Sequence, residues 1–282
     1  MSTTCIAISN MSGIVCASDT DYTIYQLSKT YPLAVAVNSY SPIPWEKIIN
    51  DYKSLGEPKE KENFEDYAMD FEKYLSTIQV LGDITELTTE DSNIFFMGYG
   101  KEDLFPQTYD TYVCINNGKW GFDSNQTDIY KISHANFAHI NLLGNLDSVS
   151  ALIWGASSEV NNMIIENHVK TFNVYKERVL NRFKGTEFEQ FVTKKLNEYD
   201  AKEDIKQRIS EAVDKTFSCA LDGIETFSIE DMVTAAEYIV DAEVRLDHLS
   251  SGCKTPLKTT REIAVITRVE GLTWIKHSIY AL

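Results

Sequence analysis

Residues 1–20 read MSTTCIAISNMSGIVCASDT. An apolar run, Cys5 to Ile8, leads into the turn-like Ser9–Gly13; a second apolar run, Ile14 to Ala17, closes on Ser18-Asp19. Two short apolar runs around a Gly-containing turn predict a β-hairpin whose loop is longer than two residues. Thr3 and Asp19 then stand at the two free ends of that hairpin. One reading is a buried edge hairpin with polar ends. The other is a site built on the start of the chain: an N-terminal Thr or Ser is a nucleophile whose own α-amine, with a reference pKa of about 7.7–8.0, is the general base. Such a site needs a strand to hold the terminus, a cation to lower the proton affinity of amine and hydroxyl, and a carboxylate to hold the cation.

Outward from the hairpin the period of the apolar residues alternates between strand and helix. Pro32–Val37 is a continuous apolar run, as expected of a strand buried on both faces. Trp45, Ile48, Ile49 and Tyr52 follow helical spacing behind Pro44, and Phe64, Tyr67, Ala68, Phe71, Tyr74 and Leu75 predict a second amphipathic helix. Residues 81–92 read as a loop. Ile94–Gly100 and Thr108–Ile115 read as strands, Asn116-Asn117-Gly118 as a turn, and Trp120–Phe122 and Ile129–Ile132 as a continuing meander. From about 146 to 249 the pattern is helical, with a capping box at Ser228–Asp231. Ile263–Thr267, Glu270-Gly271 and Leu272–Lys276 predict a closing hairpin that joins the sheet begun at the N-terminus. There is no internal repeat. The order strands, helices, strands, helices, strands predicts an α+β fold with two helix-covered sheets.

Composition narrows the function classes. The chain has 282 residues, 43% of them apolar, enough for a sizeable core. With 42 acidic against 26 basic residues its net charge is -16, and no basic stripe interrupts it, which argues against nucleic acid and anionic membrane as partners. No apolar run is long enough to cross a bilayer, and the start does not read as a signal peptide. The cysteines, Cys5, Cys16, Cys114, Cys219 and Cys253, are odd in number and lack a CxxC pair, as expected of reduced thiols in a cytoplasmic protein. Phosphate-loop, dinucleotide, zincin and nucleophile-elbow motifs are absent, so no cofactor is expected. His134 and His139 share the loop-like segment ISHANFAHI, but without a third convergent ligand ordinary histidines outweigh a metal site. Glu65, Asp66, Asp70 and Glu72 read as a solvated helix face.

The opening STTCIAISNMSGIVCASD resembles the N-terminal segment of proteasome β-type subunits and of the N-terminal-nucleophile hydrolases built on that fold. The stretches LSKTYPLAVAV, IPWEKIINDY, IFFMGYGKEDLFP, KISH and IAVITRVEGLTWIKH are similar to those of a bacterial proteasome-like family. The resemblance implies a four-layer αββα sandwich over residues 1–282 with a mainly helical segment at about 146–249. It places Thr3 on the nucleophile and Asp19 on the family's aspartate. It also implies self-association as a homo-oligomer and a peptide or small amide as substrate.

Several positions depart from that pattern. The lysine expected after the aspartate falls in Thr23-Ile24-Tyr25, where none stands; Lys29 is the nearest, and Arg261 the other candidate cation. Pro256–Ile263 lacks the glycine pair that precedes the last hairpin in the family. Met1-Ser2 stand ahead of Thr3, so removal of Met1 would expose Ser2 as an alternative nucleophile, one residue out of register and so on the other strand face. The resemblance with these departures implies an incomplete catalytic set, weak or absent peptidase activity, and a self-assembling or binding role. The alternative is an active threonine- or serine-type N-terminal-nucleophile hydrolase.

Overall fold

In the computed structural model, which describes residues 4–19, 21–80, 87–144, 158–251 and 262–277, the opening hairpin is β1 (Thr4–Asn10) paired antiparallel with β2 (Gly13–Ser18). Cys5 stands opposite Ser18 and Asn10 opposite Gly13. Every residue of both strands is buried, which is why neither alternates in the sequence. Gly13 is a packing requirement: a Cβ there would lie 2.8 Å from the backbone oxygen of Ile266.

The fold is α+β with two antiparallel sheets. β10 (Glu262–Thr267) and β11 (Gly271–Lys276) form the expected closing hairpin and join β2. β9 (Ala138–Gly144) flanks β1 on the other side, so the first sheet runs β11-β10-β2-β1-β9. The second runs β3-β4-β5-β6-β7, from β3 (Tyr22–Gln26), β4 (Leu33–Asn38), β5 (Asn93–Gly98), β6 (Gln107–Asn116) and β7 (Lys119–Phe122). β8 (Asp128–Lys131) pairs with β6 rather than extending the meander beyond β7.

Three packing surfaces follow from these strands. Small side chains, Cys5, Ala7, Cys16, Ala34, Ala36 and Ala264, meet the larger Tyr22, Phe95, Met97 and Ile266 in one apolar cluster between the two sheets. The opposite face of the second sheet, with Val35, Val37, Phe96 and Tyr109, is covered by α1 (Trp45–Ser54) and α2 (Glu65–Leu75) through Trp45, Ile49, Phe71 and Leu75. The opposite face of the first sheet carries α7 (Ile229–Ser251), which packs on β1, β2 and β10 and buries Met232, Ala236 and Val240. Ser228 caps α7 as expected, accepting the Asp231 amide at 3.1 Å while its own amide donates to Asp231 Oδ2 at 3.0 Å.

Two readings of short segments are corrected. Within residues 81–92, α3 (Thr89–Ser92) is a single helical turn capped by Thr88; residues 81–86 lie outside the described residues. ISHANFAHI is not wholly a loop, because Ala138-His139-Ile140 open β9. The polar residues of β9 hid its strand pattern, and one of them is held inside: Asn141 is buried and accepts the Thr108 hydroxyl at 3.1 Å.

The remaining helices are α4 (Ser158–Phe183), α5 (Glu189–Glu198) and α6 (Ala201–Glu225). The chain divides into two compact units, one of Met1–Leu146 with Leu221–Leu282 and one of Asp147–Ala220. The first contains both sheets; the described residues of the second are mainly helical.

Candidate functional site

The open end of the β1–β2 hairpin carries Asp19, which sequence reasoning singled out, among other buried polar groups. The Asp19 amide donates to the Thr4 carbonyl at 3.0 Å, continuing the ladder one step past Ser18. In return the Thr4 amide donates to Asp19 Oδ2 at 3.0 Å, and the Asp21 amide donates to Asp19 Oδ1 at 2.8 Å. Asp19 therefore clamps the start of β1 with one oxygen and its own turn with the other. It is 2% exposed, and burial pushes its carboxyl up to about 7, an effect that the backbone bonds from Asp21, Thr4 and Tyr22 only partly offset and the nearby Asp21 charge reinforces. Among the described residues no Lys or Arg forms an ion pair with it. Beside it, Thr4 is fully buried and its hydroxyl has no hydrogen-bond partner among the described groups.

Thr3, Ser2 and Arg261 lie outside the described residues. Lys29 is exposed in the turn after β3, with its amide donating to Glu57. Asp19 precedes the Tyr22 end of β3 and Lys29 follows the Gln26 end, about 13 Å along the strand. The fold does not bring Lys29 to the aspartate.

Sequence reasoning missed a second buried carboxylate at this end. Glu262 opens β10 opposite Ser18 and is 4% exposed. Its Oε2 accepts the amide of Ile24 at 2.9 Å, joining the first sheet to β3 of the second, and its Oε1 lies 3.2 Å from His277 Nδ1. Trp274 stacks on His277 at 4.1 Å between ring centres. The available signal was parity: Glu262 shares its strand face with Ala264 and Ile266, which point between the sheets. The segment expected to carry a lysine, Thr23-Ile24-Tyr25, thus meets a carboxylate through its backbone.

Cys5 and Cys16 lie diagonally across the hairpin with their sulfurs 3.5 Å apart, both fully buried. Both are free thiols, as are Cys114 and Cys219; Cys253 lies outside the described residues. Burial first, then Cys16, then the charges of Asp19 and Glu262, push the Cys5 thiol well up.

The other candidates have separate surroundings. His134 meets Phe105 edge-on at 5.3 Å, whereas His139 stacks on Tyr130 at 3.7 Å and burial lowers it to about 4. Among the described residues no group of three or more His, Cys, Asp or Glu is placed to hold a metal ion. On α2 the acidic face is partly engaged: Asp70 pairs with Lys61 and Lys73, Glu65 with Lys131, and Glu72 accepts the Phe122 amide. Among the described residues no helix is long and apolar enough to cross a membrane. Neither protein-family models nor curated protein sequences give a match to this chain.

Proposed function

We propose that this protein is a proteasome-like chain of the N-terminal-nucleophile hydrolase fold that has lost its cation, with weak or absent peptidase activity and a role in binding or assembly. The four-layer reading is supported by α1 and α2 on one sheet, that sheet on the other, and α7 on the far side. One observation carries the loss of catalysis. The Asp19 carboxyl, buried and raised to about 7 with no Lys or Arg paired to it among the described residues, is only about half ionised at neutral pH, where its anion would have to hold a cation. Without that cation a threonine hydroxyl and its amine keep their ordinary proton affinities, a loss of orders of magnitude in rate. Free buried thiols fit a reducing cytoplasm.

One geometric fact favours the active alternative: the Thr4 amide bond to Asp19 puts the carboxylate one residue from Thr3, with Ser2 a further residue away. Intact mass, N-terminal sequencing and labelling with a threonine-directed epoxyketone separate the two readings. The proposal expects a chain that is not trimmed to Thr3 and takes up no label. A chain beginning at Thr3 and labelled there, with hydrolysis of peptide or small amide substrates, would overturn it.

A further inference from the structure

The described helices of the second unit bury little of their apolar surface. Among its described residues, 158–220, only Ala201 is buried, and α5 buries nothing. Its longest helix, α4, is apolar on two faces. Ile165, Val169, Phe172, Val179, Leu180 and Phe183 form one half-buried stripe, and Phe172 packs on Tyr199 at 4.9 Å beside α5. On the other side Met163 and Ile164 are 58% and 45% exposed, and Val174 and Tyr175, three turns further on, are 50% and 60% exposed. A helix with apolar stripes on both sides belongs between two partners.

Charge identifies the second partner. Residues 147–220 carry 11 Lys and Arg against 12 Asp and Glu, leaving 15 basic and 30 acidic residues for the rest of the chain. The unit containing the sheets repels its own copies, whereas the helical unit is almost neutral. Within α4 the charges are also divided by position. Glu159 and Glu166 occupy the first part, and Lys170, Lys176, Arg178 and Arg182, with the one acid Glu177, the second. Two such helices laid antiparallel about a two-fold axis set acidic part against basic part and oppose their dipoles. The same alignment, centred near Val169, brings Ile164 to Val174 and Met163 to Tyr175 of the other copy.

We propose that the exposed face of α4 is a homodimer interface whose occupant is α4 of a second copy of this chain, antiparallel. This names the surface for the assembly role proposed above; it rests on that assembly reading alone and not on the Asp19 site. The strip is about 39 Å long and about 10 Å wide, about half the usual area per partner, so the dimer dissociates on dilution.

Sedimentation velocity of the full chain over a range of concentrations tests it. The native protein is expected to shift from monomer to dimer. Ile164→Glu with Val174→Glu, both at exposed positions, is expected to weaken the dimer about a hundredfold, since each substitution occurs twice in a two-fold interface, with helical circular dichroism unchanged. Mixing Ile164→Cys protein with Val174→Cys protein under oxidation is expected to give the crossed disulfide, identified by peptide mass. Only 164–164 and 174–174 links would overturn the antiparallel geometry. A dimer indifferent to the double Glu variant would overturn the α4 interface while leaving the assembly reading standing. A native chain monomeric throughout would overturn both, and epoxyketone labelling would report on the Asp19 site independently.

Discussion

Replacing Asp19 by Asn tests the buried carboxyl directly. The folded protein holds the Asp19 proton to about pH 7, against 3.8 for an ordinary aspartate. At about 1.4 kcal/mol per pH unit the difference comes to about 4 kcal/mol. Because the folded state binds this proton more tightly than the unfolded chain, the stabilisation is fully present below pH 3.8 and is lost as pH rises through 7. Between about pH 5 and pH 8 the native protein should lose about 3 kcal/mol from this residue alone. Asn cannot ionise, so that slope disappears. It also has one carbonyl oxygen where the carboxylate serves three donors, the Thr4, Asp21 and Tyr22 amides, so at least one of them is left facing an amide nitrogen. The variant should therefore be less stable than the native chain by about 1–3 kcal/mol at pH 5 and equal or superior at pH 8. Urea denaturation followed by circular dichroism across that range measures the difference, and other groups that titrate equally in both proteins cancel. Parallel pH profiles for native and Asp19→Asn protein would refute a carboxyl whose proton affinity is raised by burial.

Two further titrating groups give predictions of opposite sign. Asp110 is raised to about 7 by burial, with the Asn93 side-chain bond at 2.7 Å opposing and Asp128 adding to the shift; Asp110→Asn keeps an acceptor for Asn93 and should raise the melting temperature at pH 8, by a stability gain of about 1–3 kcal/mol, with little gain at pH 5. Burial lowers His139 to about 4, so its contribution is complete above pH 6.5 and is lost as pH falls towards 4; His139→Phe, which preserves a ring against Tyr130, should flatten that acid limb, and an unchanged limb in a urea series would contradict it.

The parts of the fold that were legible are those whose burial is decided locally. The opening hairpin, α1, α2 and the closing hairpin each show their period over a few residues, and the structure keeps them at the expected places. β3 and β9 escaped because their polar residues are retained by distant partners. Thr23 pairs with Ser39 across the strand pair, and Asn141 accepts from Thr108 of the other sheet. Glu262 escaped for the same reason on a larger scale. A lone Glu before an apolar run reads as surface, and its bond to Ile24, 238 residues away in the chain, helps to hold it in the interior. Asp19 was legible as a candidate from the hairpin, but the absence of a basic partner among the described residues depends on how the turn after β3 carries Lys29 away.

The field at the hairpin's open end bears on whether a nucleophile could work there. Cys5 feels both Asp19 and Glu262, and each raises its thiol, so the two carboxylates act on the same small volume. Asp21, also buried, adds to the proton affinity of Asp19. A threonine acting with its own amine needs the reverse, a positive potential that makes hydroxyl and amine easier to deprotonate. Glu262 is moreover bound through Ile24 to the stretch of β3 where the resemblance expects a lysine, so a carboxylate faces the strand from which the cation would come. Its structural use is plain: it ties β10 of one sheet to β3 of the other and holds His277 against Trp274. A lysine placed on β3 would therefore meet Glu262 as well as Asp19. The site now reads as a set of carboxylates that fastens two sheets at the start of the chain.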